Sequence, residues 1–216
     1  MNITDIRLYA LLTERFCRLH WQRTAEALLA GGVDAVQLRE KDLSDRELLV
    51  RSCTLRKQTE AAGALLIVND RPDVAVLAGA DGVHLGQDDL PPAEARRIVG
   101  PDLLIGWSTH SARQAAQARD LPLDYIGVGP FAPTATKGYE VGFGADLVRA
   151  ERAATPLPMV AIGGITADNA ADAIEAGATA VAVCAALCDT DDPEAAARRL
   201  RAAVVAATER REGRQP

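Results

Sequence analysis

Long apolar runs are missing from this chain, and no stretch approaches the roughly 18 consecutive apolar residues of a membrane span. Met1 to Tyr9 lack the charged start and apolar run of a secretory signal. Basic excess is missing too, since 24 Lys and Arg against 30 Asp and Glu leave a formal charge of −6. A nucleic acid or an anionic membrane would reward a basic face, so neither is expected as a partner and any cationic site has to be local. Cysteine is scarce: Cys17, Cys53, Cys184 and Cys188 have neither CxxC nor zinc-like spacing, which speaks for structural thiols in a reducing, cytoplasmic setting. No GxGxxG follows the first apolar run, which argues against a dinucleotide-binding open sheet. Nor does any nucleophile stand beside a base, which argues against a catalytic triad.

What is present is a regular alternation. The chain has 216 residues, 48% of them hydrophobic and 25% charged, enough to bury one sizeable core. Short β-rich apolar runs at 8–12, 35–39, 65–69, 82–85, 104–108, 125–129, 159–162 and 180–184 are apolar on both faces, as buried parallel strands must be. Helical stretches lie between them, such as 45–61 with Leu48, Leu49, Cys53 and Leu55 as its stripe, and 167–176. Ser44, Ser111 and Thr166 stand where helix N-caps belong. Gly31-Gly32, Ala78-Gly79-Ala80 and Ala176-Gly177-Ala178 stand before strands, where a helix C-cap needs a residue tolerant of positive φ. Eight such units predict an α/β fold of the single-domain (β/α)₈ TIM-barrel type over 1–207, with a frayed charged tail over 208–216.

In such a barrel the strand C-termini and the loops after them form the active-site face. Strand two ends in Gln37-Leu38-Arg39-Glu40-Lys41, where alternation groups Gln37, Arg39 and Lys41 and points to an anionic ligand. Asp70 after strand three, and Asp88 or Asp89 after strand four, suit oxygen-only coordination of Mg²⁺ bridged to phosphates; Asp70 and Asp89 equally read as helix caps. Ser108 reads as a site donor or a cap, and His110 as a supporting or capping residue. The polar stretch from Gly129 to Gly138 is long enough to fold over a ligand and carries Lys137. Gly163-Gly164 and Cys184-Ala185-Ala186 offer small residues where the loops after strands seven and eight commonly hold phosphate, close helix packing being the alternative. Two separate anion sites imply two phosphorylated small-molecule ligands.

These motifs, in order, resemble the thiamine phosphate synthase family along essentially the whole chain: Gln37-Leu38-Arg39-Glu40-Lys41, Asn69-Asp70-Arg71, Gly82-Val83-His84-Leu85-Gly86-Gln87 with Asp89, Ser108-Thr109-His110, Gly129-Pro130 with Thr134 and Thr136-Lys137, and Ile162-Gly163-Gly164-Ile165. The resemblance implies Gln37, Arg39, Lys41, Asn69, Ser108 and Lys137 as contacts to a pyrimidine diphosphate, with Arg39, Lys41, Ser108 and Lys137 closest to the chemistry. It implies Asp70 and Asp89 as Mg²⁺ ligands, with Asp88 a bystander. Thr134, Thr136, Gly164 and the backbone at Cys184 and Ala185 would hold a thiazole phosphate. Ala185 departs from the family's frequent serine, and the segment from Gly138 to Gly144 departs from its usual forms.

The implied reaction ionises the pyrimidine CH₂–O bond and joins the resulting cation to the thiazole nitrogen. Pyrophosphate leaves, with CO₂ when the thiazole carries a carboxylate. Three rivals remain: a thiazole tautomerase of the same family, a Schiff-base aldolase using Lys41 or Lys137, and a barrel that binds ligands without catalysis. A homo-oligomer is compatible with the sequence, which does not fix the oligomeric state.

Overall fold

The computed structural model describes residues 2–134 and 141–213. Eight parallel strands close in sequence order: β1 (Leu8–Leu12), β2 (Ala35–Leu38), β3 (Leu65–Asn69), β4 (Gly82–Leu85), β5 (Leu104–Thr109), β6 (Tyr125–Val128), β7 (Met159–Ile162) and β8 (Ala180–Val183), with β8 pairing back onto β1. Outside them lie α1 (Trp21–Ala30), α2 (Asp45–Ala62), α3 (Pro72–Leu77), α4 (Pro92–Val99), α5 (Ala112–Ala118), α6 (Gly144–Ala154), α7 (Ala170–Glu175), α8 (Ala185–Cys188) and α9 (Pro193–Glu212). The expected (β/α)₈ barrel is therefore what the chain forms. Strands β2, β6 and β8 end one residue before the sequence reading and β5 runs one residue beyond it.

Strand alternation explains why both faces had to be apolar. Leu8, Ala10 and Leu12 of β1, like Val36 and Leu38 of β2, point outward into the layer beneath the helices. Tyr9, Leu11, Ala35, Leu65, Ile67, Tyr125, Val160 and Ala182 point inward and fill the barrel. At the opposite end from the predicted site, Asp34, Asp81 and Asp124 each precede an even-numbered strand and cap the odd strand before it. Asp34 accepts from the Leu8 amide at 3.0 Å, Asp81 from Leu66 at 2.7 Å and Asp124 from Ile105 at 2.7 Å. These carboxylates give strand ends the partners that buried amides require.

Helix α2 begins with a capping box between Ser44 and Glu47 and ends at Gly63 with φ 68°. Its buried face is Leu48, Ser52, Leu55 and Thr59, while Leu49 and Cys53 are only half-buried. Ser111 caps α5 as expected, accepting from the Gln114 amide. Thr166 does not open α7. Its amide donates to Asn169 Oδ1 at 2.8 Å and Asn169 Nδ2 donates to the Gly164 carbonyl at 2.9 Å, so 166–169 is a turn tied to the end of β7 and the helix starts at Ala170. The stretch from Thr208, expected to be a frayed tail, is instead helical as far as Glu212, where α9 ends. Thr208 is buried on the face shared with Val204 and Ala207, and Arg211 donates to the Ile174 and Ala178 carbonyls at 2.9 and 2.7 Å. Among the described residues no helix is long and apolar enough to cross a membrane.

Candidate active site

At the C-terminal rim, the end of β2 is held by the end of β1. The Arg39 amide donates to the Leu12 carbonyl at 2.9 Å and the buried Thr13 hydroxyl donates to the Arg39 carbonyl at 2.8 Å. Glu40 turns away, its Oε1 accepting from the Glu14 amide at 2.6 Å with Arg51 3.7 Å off. Gln37 and Arg39 therefore share the barrel interior, as alternation predicts, and both are buried. Lys41 lies beyond the strand, and its Nζ reaches Asp70 Oδ2 at 3.1 Å. Arg39 is 8% exposed, yet among the described residues no carboxylate lies within ion-pairing distance of it. A buried guanidinium without a counter-ion is costly unless an anion completes it.

Asp70 has φ 64°, a left-handed conformation uncommon outside glycine, while its amide still donates to the His84 carbonyl at 2.8 Å. That turn brings its carboxyl close to the Asp89 carboxyl. Burial pushes the Asp70 carboxyl above the usual range, the Asp89 carboxyl pushes it further and Lys41 pulls part of the way back. Neither carboxylate caps a helix: Arg71 stands at the start of α3 and Pro91 at the start of α4, while Asp89 Oδ2 accepts from the Gly86 amide at 2.7 Å. No cluster of three or more His, Cys, Asp or Glu side chains suited to a metal occurs among the described residues. Two adjoining carboxylates fit a hard divalent cation whose other ligands are water and substrate oxygens.

Opposite this polar rim a pocket of about 450 Å³ opens at the ends of β6, β7 and β8, lined by Gly129, Pro130, Thr134, Gly163, Gly164, Cys184 and Ala185. Gly163 and Gly164 have φ 97° and 62°, and a Cβ on Gly164 would lie 2.6 Å from the Pro133 carbonyl oxygen. Both glycines line the pocket and pack against the loop after β6 rather than against a helix. The first amides of α8 point out of the helix start beside the pocket, as helix N-terminal amides do. His110 donates from Nδ1 to the Gly129 carbonyl at 2.6 Å, which fixes the β6 end at the pocket wall. Ser108 is not a cap: it lines this pocket and also the narrower hollow formed with Tyr9, Gln37, Arg39, Asn69, His84 and Tyr125.

A family model described as thiamine monophosphate synthase matches residues 8–187, from the first residue of β1 to the third of α8. The chain belongs to that family. Among its relatives, the thiamine-phosphate synthase of Methanoculleus marisnigri is 51% identical over 185 residues, spanning 85% of this chain and 87% of that one. That of Albidiferax ferrireducens is 43% identical over 206 residues, 93% of each chain. The solved thiamine phosphate pyrophosphorylase from Pyrococcus furiosus superposes with a TM-score of 0.87 at 34% identity, over 95% of this chain and 98% of that one.

As a member of the thiamine monophosphate synthase family, the chain is a transferase by kinship, and most of the residues expected from the sequence to form the site lie close together in three dimensions. Gln37, Arg39, Asn69 and Ser108 meet around one hollow, Lys41, Asp70 and Asp89 on one rim, and Thr134, Gly164, Cys184 and Ala185 around one pocket. Thr136 and Lys137 lie outside the described residues. Sequence reading assigned no role to Tyr9 and Tyr125, and His84 only as part of a motif. Gln37 Nε2 donates to the Tyr9 hydroxyl at 2.8 Å, the two tyrosine hydroxyls are 3.1 Å apart, His84 Nδ1 is 3.1 Å from Tyr125 and His84 Nε2 is 3.0 Å from Ser108 Oγ. The available signal was a tyrosine at an inward position in two otherwise aliphatic strands.

Proposed function

We propose that the protein is a Mg²⁺-dependent thiamine phosphate synthase. It would join 4-amino-2-methyl-5-(diphosphooxymethyl)pyrimidine to 4-methyl-5-(2-phosphoethyl)thiazole or its carboxylate, releasing pyrophosphate and, from the carboxylate, CO₂. The observation that carries this reading is Arg39, a buried cation with no carboxylate partner among the described residues, beside the Asp70–Asp89 pair and across from a glycine-lined pocket. A cation and a cation-binding carboxylate pair at one place suit a diphosphate, and a separate pocket walled by backbone suits a second phosphate.

A dissociative reaction needs no protein nucleophile, so the Ser108 hydroxyl beside His84 Nε2 is read as a hydrogen-bonding group. The pyrimidine C–O bond breaks with its electron pair departing on pyrophosphate, the ring amino group stabilises the cation, and the thiazole nitrogen lone pair forms the new C–N bond. Asp70 and Asp89 would hold Mg²⁺, which would supply neutralisation of charge on the diphosphate. Arg39 and Lys41 do the same from the β2 side, which requires Lys41 to exchange Asp70 for a phosphate oxygen. Ser108 stands where the two hollows join, the place at which the reacting atoms of two ligands meet. Lys137 enters this reading through the family resemblance alone. Incubation with both substrates and Mg²⁺ should release pyrophosphate only when all three are present; release that ignores the thiazole would overturn the reading.

A further inference from the structure

The five side chains that cross the barrel interior form a hydrogen-bond chain with a direction. Gln37 donates through Nε2 to the Tyr9 hydroxyl at 2.8 Å, so the Tyr9 proton has to turn elsewhere, and the Tyr125 hydroxyl 3.1 Å away is its acceptor. The Tyr125 proton then goes to His84 Nδ1 at 3.1 Å. With Nδ1 accepting, a neutral imidazole carries its proton on Nε2, which donates to Ser108 Oγ at 3.0 Å. The Ser108 proton is left to point at whatever occupies the hollow. Burial pushes both tyrosine hydroxyls well above their usual range, so both keep their protons. Space is cleared for this chain: a Cβ on Gly106 would collide with the Tyr125 ring and come within 2.5 Å of His84 Nδ1, and one on Gly127 would stand 3.0 Å from His84 Cε1.

We propose that Tyr9, Tyr125 and His84 are positioning residues that fix which way protons point at the two ends of this chain, and so select an aminopyrimidine over its oxo counterpart. Gln37 is pinned with its amide nitrogen on Tyr9, which leaves Oε1 as an acceptor facing the hollow, while Ser108 is left as a donor. An exocyclic amino group gives Gln37 Oε1 the donor it requires. An oxo group in that place sets two acceptors against each other, a mismatch that buried sites punish strongly. The inference rests on the synthase reading above, because it takes the pyrimidine ring to sit over the mouth of this hollow, which alone has about 20 Å³ and opens at Ser108 into the larger pocket.

The test compares turnover of the 4-amino and 4-oxo pyrimidine diphosphates by wild type, Tyr9→Phe and Tyr125→Phe, with ¹⁵N NMR of the His84 ring in each. Wild type should favour the amino substrate strongly and show His84 protonated at Nε2. Tyr9→Phe unpins the Gln37 amide, so the amino-over-oxo ratio in kcat/KM should fall by about tenfold or more while the His84 tautomer stays. Tyr125→Phe should lower the ratio similarly and also release the tautomer. A packing role alone would lower the melting temperature and leave ratio and tautomer unmoved. An unchanged ratio in folded variants, or a wild-type His84 protonated at Nδ1, overturns the inference and leaves the synthase reading standing. A wild type that makes product from neither pyrimidine overturns both.

Discussion

Replacing Arg39 by methionine separates a residue kept for ligand from one kept for the fold. Arg39 as a residue is 8% exposed, and no carboxylate partner lies within ion-pairing distance among the described residues. Methionine fills a comparable volume without the charge, so the ligand-free protein should gain about 1 kcal/mol, a fraction of the several kcal/mol that an isolated buried ion costs. At this chain length that raises the melting temperature by about 2–4 °C. Catalysis should move the opposite way. Two charge-assisted hydrogen bonds to a diphosphate at about 1.5–3 kcal/mol each sum to about 3–6 kcal/mol, or a loss of roughly 10²- to 10⁴-fold in kcat/KM. Inorganic pyrophosphate with Mg²⁺ at about a hundred times its Kd should stabilise wild type by about 2.7 kcal/mol, and Arg39→Met far less. Differential scanning calorimetry with and without pyrophosphate, beside a product assay, reads all three effects. A variant that melts lower than wild type and keeps its turnover would show that Arg39 serves the fold, and the reasoning would fail.

Glu151 on α6 is fully buried, with Thr109 donating to Oε2 at 2.6 Å and no partner at Oε1 among the described residues, and burial pushes its carboxyl up to about 7. The native state thus holds this proton more tightly than the unfolded chain, so its stabilising contribution is complete below the usual carboxylate range and lost as pH rises through about 7. Glu151→Gln should remove up to about 3 kcal/mol of that pH dependence. Urea unfolding of both proteins at pH 5 and pH 8 measures it, and parallel stability changes in the two would refute it. Gly106→Ala, which drives a methyl into Tyr125 and His84, should cost about 1–3 kcal/mol from overpacking and lower activity. Gly63→Ala meets nothing within 4 Å and should cost only about 1 kcal/mol of left-handed strain, with activity retained. Denaturant midpoints that rank the two glycines the other way would count against this account of the packing.

The barrel was legible because buried parallel strands must be apolar on both faces, and eight such runs separated by capped helices have few other ways to close. Arg39, Asp70, Asp89 and Gly164 stood out because charge or small size at strand ends in an acidic, apolar chain demands a reason, and Gln37 because alternation groups it with Arg39. Tyr9, Tyr125 and His84 were not, since hydrophobicity patterns class a buried tyrosine as core and carry nothing about which hydroxyl faces which ring. The late start of α7 was hidden for a related reason. Thr166 has the chemistry of a cap, but the Asn169 side chain takes its amide and ties the turn to Gly164 instead. Likewise the charges over 208–212 masked the continuing buried face of α9.

The most direct test of the central claim is a single assay of purified protein with pyrimidine diphosphate and thiazole phosphate carboxylate, with and without Mg²⁺, for wild type and Asp89→Ala. It follows pyrophosphate, thiamine phosphate and isomerised thiazole together. The account predicts Mg²⁺-dependent thiamine phosphate and pyrophosphate in equal amounts from wild type, with a loss of roughly 10²-fold or more in the variant. Isomerised thiazole without pyrophosphate, or synthesis indifferent to both Mg²⁺ and Asp89, would contradict it.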